Sequence, residues 1–211
     1  GVGRFRQVDF DTVHTSNINR QIQALETTLG CRKVDLARER ILSINPACRV
    51  EAMPLFVDPE SLPAILDEKP DVLLDAIDSV NPKLSLIMAT LDRAIPIISC
   101  MGAARRINPE AVTAGDISET HNCRLARMIR KRLATKGIRS GVRCVYSPEL
   151  PAEALQWEVN EEPSIDRRGR KRFTMGSLST ITALFGIRMA HEALDYLVDL
   201  ERAVQMAPPT P

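Results

Sequence analysis

The stretch PDVLLDAID, residues 70–78, decides how this chain is read. It is an almost continuous apolar run that ends in acids. A half-exposed strand alternates apolar and polar residues. A run that is apolar throughout belongs to a parallel strand covered on both faces. Outward from it the pattern repeats. RFRQVDF predicts a strand at 4–10. KVDLARERILSIN puts Val34, Leu36, Ala37, Ile41 and Ile44 on one face and predicts a helix over 32–44. CRVEAMPLF reads as a strand and PESLPAILDEK as a short helix. Beyond residue 78, PKLSLIMATLDRA is a helix and IPIISCMG a second buried strand ending at a glycine. Strands and helices alternate, which predicts a Rossmann-like, doubly wound, mainly parallel α/β sheet with helices on both faces.

The second half is less regular. AVTAGDI and VRCVYS read as strands. Between them, HNCRLARMIRKRLATKG is a basic helix closed by Gly137. Residues 147–174, with three prolines and the run DRRGRKR, read as a long mobile loop. A long apolar helix is expected over 176–200, packed on the sheet or at a subunit contact, and 201–211 reads as a disordered tail. There is no internal repeat.

At 211 residues the chain is one domain, with room for a sizeable core. Only 4% of residues are aromatic, so aliphatic side chains must fill that core. No stretch reaches the roughly eighteen apolar residues that a membrane span needs. No leader peptide is visible, and the first residue is not methionine, so the chain reads as part of a longer protein. The cysteines are Cys31, Cys48, Cys100, Cys123 and Cys144, an odd number with no C-x-x-C pair. That argues against a paired-cysteine zinc site and for a reducing, cytoplasmic setting. His121 and His191 stand too far apart to suggest a metal site, and Trp157 sits in the long loop as a contact or an anchor.

The candidate site begins with VDFDTVHTSNINRQ, residues 8–21. An acid at the end of the second strand of a doubly wound sheet holds the ribose hydroxyls of a nucleotide, and Asp9 or Asp11 suits that role. Such an acid lies about 20 residues after a glycine-rich phosphate loop. Asp9 has eight residues before it, and GVGR precedes a strand rather than following one. The expectation is that the first strand and the phosphate loop lie upstream of residue 1. Asn17 and Arg20 follow in the loop, Lys33 opens the next helix, and Asp78 ends a buried strand. An acid for ribose, two cations for phosphates and a second acid for a metal make a nucleotide triphosphate site. Arginine offers phosphate a planar fork and lysine a point charge. Magnesium accepts one or two carboxylates when phosphate oxygens and water complete its shell. Each acid alone reads equally well as a solvated or capping residue, and His14 reads as a phosphate contact or, at least as readily, as a surface loop residue.

These residues carry a resemblance. The pattern D-x-D-x-V-x-x-S-N-x-x-R-Q at 9–21, then G-x-x-K at 30–33 and D-x-x-D at 75–78, resembles the E1-like adenylating superfamily. It covers about residues 1–105, the expected nucleotide-binding core, with 106–200 an extension completing the same domain. By the resemblance, Asp9 binds ribose, Asn17, Arg20 and Lys33 contact the triphosphate, Gln21 belongs to the site, and Asp78 holds Mg²⁺. The implied chemistry is attack of a carboxylate on the α-phosphate of ATP with loss of pyrophosphate. Arg20, Lys33 and Asp78 are then the catalytic residues, because positioned charge stabilises the phosphates in transit.

Within the superfamily, the second half is similar to the branch that dehydrates threonylcarbamoyladenosine beside the tRNA anticodon. The stretches that carry it are AIDSVNPKLSLI, CMGAARRINPEAVTAGDISET, LARMIRKRLATKGIRSGVRCVYSPE and GSLSTITALFGIRMAHEAL. This implies activation of a threonine carboxylate on tRNA, followed by ring closure, by a homodimeric enzyme, with a sulfur-transfer partner in some relatives. The region of the relatives' relay cysteine has none here. Cys144 matches a family position and otherwise reads as a core thiol. Independently, the span from His121 to Arg143 holds eight Lys or Arg and no Asp or Glu. Arg124, Arg127, Arg130, Lys131, Arg132 and Lys136 are the candidate tRNA-binding residues, since such a run can neutralise several phosphates. A solvated helix face is the plainer reading. DRRGRKR reads equally as a tRNA arm or a linker. The alternatives are an adenylyltransferase for the C-terminus of a ubiquitin-like sulfur carrier, a non-catalytic nucleotide-binding fragment and, more distantly, a nicotinamide oxidoreductase.

Overall fold

A computed structural model describes residues 2–151, 164–165, 171–172 and 176–206. Trp157, most of DRRGRKR and the last five residues lie outside the described residues. β1 (Arg4–Val8) and β2 (Arg49–Met53) pair in parallel and are connected through α1 (Lys33–Ile44). Four strands form the larger sheet, in the order β3 (Leu73–Asp75), β4 (Ile97–Cys100), β6 (Arg143–Tyr146), β5 (Thr113–Asp116). β3, β4 and β6 run parallel, and β5 runs antiparallel to β6. The parallel neighbours are joined by helices, as parallel strands require. α2 (Leu62–Ile65) leads into β3, α3 (Val80–Asp92) joins β3 to β4, and α4 (Arg124–Ala134) precedes β6.

Period-two alternation explains why these strands are apolar on both sides. Ile97, Cys144 and Tyr146 face Ile87 of α3 and Ala126, Ile129 and Leu133 of α4. Their neighbours Ile98 and Val145 face the other way, onto Ile181, Phe185, Met189 and Ala193 of α5 (Ser179–Met206). Those four α5 residues repeat every fourth position and form one helical stripe. The sheet is therefore sandwiched between α3 and α4 on one face and α5 on the other. Burying each of the larger side chains contributes about 1.5–3 kcal/mol.

Several boundaries differ from the sequence expectation. The strand expected over 70–78 is ladder-paired only at Leu73–Asp75, because the Asp75 carboxylate takes the Ile77 amide at 3.0 Å and turns the chain. The strand expected over 4–10 ends at Val8, where Asp9 begins a turn of its own. The long helix, expected over 176–200, runs from Ser179 to Met206, so residues 201–206 of the expected tail are helical. Inside the expected long loop, β7 (Ser164–Ile165) and β8 (Lys171–Arg172) pair antiparallel. Gly137, at φ +81°, closes α4 as expected. The amide of Ile138 reaches Leu133 O at 3.1 Å and that of Gly137 reaches Ala134 O at 3.1 Å. That double bond pattern needs a left-handed residue, which glycine adopts without a Cβ clash. Among the described residues β1 pairs with β2 and β3 with β4, and no ladder joins the two sheets.

Candidate nucleotide site

The site lies beyond the C-terminal ends of β1 and β3, the edge where open α/β sheets bind ligands. Asp9 leaves β1 with its amide on Met53 O at 3.2 Å and its carboxylate on the Asp11 amide at 2.9 Å. Asp11 in turn meets Lys33, Oδ2 to Nζ at 3.1 Å. The Lys33 amide also donates to Asp11 O at 3.1 Å, so the first turn of α1 is tied to the acidic turn twice. Gly30, at φ +80°, bends the chain so that its amide donates to Val13 O at 2.9 Å while the Val13 amide donates to Cys31 O at 2.9 Å. Lys33 is buried at 8% exposure, which strengthens its charge against whatever it faces.

Asp9 titrates above the ordinary carboxylate range. Burial is the main cause, and the charges of Asp11 and Asp78 push the same way. The Asp11 amide and the Lys33 ammonium pull it down without cancelling the rise. Asp78 therefore acts on Asp9 across the gap between the two strand ends. It is itself exposed, in the turn before α3, and accepts the Ser79 hydroxyl at 3.2 Å.

The loop 14–21 is built around a buried amide. Asn17 is 6% exposed and its Oδ1 caps the His14 amide at 3.1 Å, while its carbonyl receives the amides of Arg20 and Gln21. Asn17 thus shapes the loop. The Arg20 guanidinium folds back onto the loop, donating to Ser16 O and to Asn19 Oδ1 at 3.0 Å. Thr182 of α5 donates to Arg20 O at 3.3 Å and anchors the loop to the far helix. Gln21 Oε1 is buried without a hydrogen-bond partner among the described residues, an acceptor that suits a ligand donor.

Asp9, Asp11, Lys33 and Asp78 are thus brought together, and Asn17, Arg20 and Gln21 share the adjoining loop. Among the described residues no three His, Cys, Asp or Glu are grouped to hold a metal ion by themselves. A divalent cation that arrives with a nucleotide needs fewer protein ligands, and Asp78 beside Asp9 fits that requirement.

The sequence reading missed what lies beneath Asp78. Asp75, Lys83 and Ser99 are 1%, 0% and 0% exposed. Asp75 Oδ2 receives Lys83 Nζ at 2.6 Å and Ser99 Oγ at 2.7 Å. The acid was visible in D-x-x-D, but nothing marked Lys83 or Ser99 as its partners.

The basic helix divides in two. Arg124, Arg127, Lys131 and Lys136 are exposed. Arg130 instead donates to the carbonyl and hydroxyl of Thr120, and Arg132 to Asn81 Oδ1. That second bond sets α4 against the start of α3, next to Asp78. The thiols are mostly inert. Burial pushes Cys100 up to about 12 and Cys144 still higher, and Cys48 and Cys123 are buried, leaving Cys31 exposed.

Known proteins with this architecture share both the fold and the sequence. The tRNA threonylcarbamoyladenosine dehydratase of Bacillus subtilis is 37% identical over 204 residues, 95% of this chain and 80% of its own. The solved Escherichia coli tRNA N6-threonylcarbamoyladenosine dehydratase in complex with ATP superposes with a TM-score of 0.81 at 30% identity, over 97% of this chain and 79% of that one. Molybdopterin-synthase adenylyltransferase of E. coli is 35% identical but over only 51% of this chain and 42% of its own. The ThiF family profile matches residues 1–208, and the chain belongs to the ThiF family.

Proposed function

We propose that this protein uses ATP to activate the threonine carboxylate of N6-threonylcarbamoyladenosine in tRNA, and that the activated acyl group closes into a ring with net loss of water. One observation carries the reading. Asp9, Asp11, Lys33 and Asp78 meet at one strand edge, in a chain similar over nearly its whole length to a dehydratase bound to ATP. ATP is a substrate here. In the first step a carboxylate oxygen forms a bond to the α-phosphorus, and the bond to pyrophosphate breaks. In the second the acyl carbon forms the ring bond and that oxygen leaves with AMP.

Each residue has a physical task. Asp9, ionised, accepts the ribose hydroxyls. Lys33 and Arg20 bring positive charge to the phosphates, Lys33 from a buried and preorganised position and Arg20 by exchanging its bonds to Ser16 and Asn19 for phosphate oxygens. Asn17 keeps that loop in shape, and Gln21 supplies a buried acceptor. Asp78 would hold Mg²⁺, which when bound neutralises charge on the leaving pyrophosphate.

The tRNA track runs over Arg124, Arg127, Lys131 and Lys136 toward Asp78, with Arg130 and Arg132 holding the helix in place. A homodimer is part of the proposal, and exposed Ile22 (79%) and Ile187 (64%) give it apolar surface to cover. Among the described residues no helix is long and apolar enough to cross a membrane, and we place the enzyme in the cytoplasm with its RNA. A sulfur-transfer partner would find Cys31 as the exposed thiol.

The second reading is adenylation of a carrier protein's C-terminus, favoured by the molybdopterin-pathway relatives. Exchange of labelled pyrophosphate into ATP separates the two. It is expected only when tRNA bearing the modified adenosine is added. Exchange driven by a carrier protein instead of tRNA would favour the second reading.

A further inference from the structure

The Asp75–Lys83–Ser99 cluster has no task in the chemistry above, yet it occupies the most buried polar position in the sheet. A fully buried ion pair is a poor device for stability, because desolvating two charges offsets their attraction. An apolar pair of the same volume would serve the core as well. What distinguishes this one is its place. Asp75 ends β3, Lys83 lies in the opening turns of α3, and Ser99 lies on β4. The carboxylate joins all three, with Lys83 Nζ at 2.6 Å and Ser99 Oγ at 2.7 Å on Oδ2.

Its other oxygen holds the next turn. Asp75 Oδ1 receives the Ile77 amide at 3.0 Å, and that bond breaks the strand and sets the turn from which Asp78 projects. The first backbone bond of α3, from the Lys83 amide to Ser79 O at 3.2 Å, starts the helix directly after Asp78, so the Lys83 side chain pins the opening of that helix to Asp75. The Asp75 carboxylate thus ties together the turn before Asp78, through the Ile77 amide, and the helix after it, through Lys83 Nζ, while the Asp78 carboxylate stays exposed. Groups that orient a metal-binding carboxylate from behind commonly take this form.

We propose that Asp75, Lys83 and Ser99 are positioning residues for Asp78, fixing its turn so that its carboxylate meets the divalent cation of the nucleotide complex. This rests on the reading of Asp78 as the residue that holds Mg²⁺. Two variants probe it in the whole protein. Ser99→Ala removes one hydrogen bond from Asp75 with little change in volume. Asp75→Asn combined with Lys83→Met removes both buried charges together, so no unpaired ion is left. Asp78→Ala serves as the reference.

Mn²⁺ affinity of the protein–ATP complex is read by electron paramagnetic resonance, and metal-free AMP affinity by calorimetry. The expected result is a loss of about tenfold in Mn²⁺ affinity for both variants, with AMP affinity unchanged. Adding Ser99→Ala to Asp78→Ala is expected to cost nothing further. Unchanged Mn²⁺ affinity in both variants, with Asp78→Ala still weakened, would overturn the positioning role and leave Asp78 as the metal residue. Unchanged affinity in Asp78→Ala itself would overturn both.

Discussion

Asp9 must be ionised in a place that disfavours its charge. Burial and the neighbouring carboxylates of Asp11 and Asp78 raise its pKa, and Lys33 only partly compensates. A carboxylate raised in the folded state binds more protons folded than unfolded, so its penalty is fully present above its folded pKa. At neutral pH the native protein therefore carries that penalty, and Asp9→Asn is expected to melt at the same or a higher temperature while binding ATP more weakly. The acid limb follows from the same shift. ATP affinity should begin to fall at a pH above the ordinary Asp range, and Asp9→Asn should flatten that limb. Calorimetric titrations at several pH values check it. At this scale the sequence was informative where the motif named residues, and silent where function depends on partners. D-x-D placed Asp9 and Asp11 correctly beside each other, but only the fold shows that Asp11 belongs to Lys33. Asp75 and Asp78 look alike in D-x-x-D. One is buried against Lys83 and the other is exposed, and spacing cannot separate them.

Among the elements, α4 is the clearest case of a pattern with two meanings. Its charges were legible as a run, and its buried face of Ala126, Ile129 and Leu133 follows from helical period. The run did not reveal that Arg130 and Arg132 already serve the protein. Replacing Arg124, Arg127 and Lys131 by alanine should weaken tRNA binding. It should also make its salt dependence shallower, by about one unit of slope for each side chain that meets a phosphate. Arg130→Ala should instead lower the melting temperature, because Thr120 O loses its donor. Filter binding across a salt series and thermal melts distinguish the two classes. α5 shows the opposite balance. Its apolar length was plain, but which residues face the sheet depended on register. Phe185, 2% exposed, fills the space over Ile98 and Val145. Phe185→Ala is expected to cost about 3–5 kcal/mol in denaturant unfolding.

For the molecule as a whole, the alternation of strands and helices was enough to predict a mainly parallel sheet covered on both faces. One feature lay beyond it. β5 runs antiparallel to β6 although α4 lies between the two in the chain. The proposed site draws Asp9 from the end of β1 and Asp78 from the turn after β3. In the proposed reaction Asp9 and Asp78 act together on a carboxylate attached to RNA. The most direct test incubates the protein with ATP, Mg²⁺ and tRNA bearing threonylcarbamoyladenosine, digests the tRNA and weighs the nucleoside. A loss of about 18 Da, one water, that requires ATP and disappears in Asp78→Ala is the predicted result. An unchanged nucleoside mass, with ATP and intact modified tRNA present, would contradict the account.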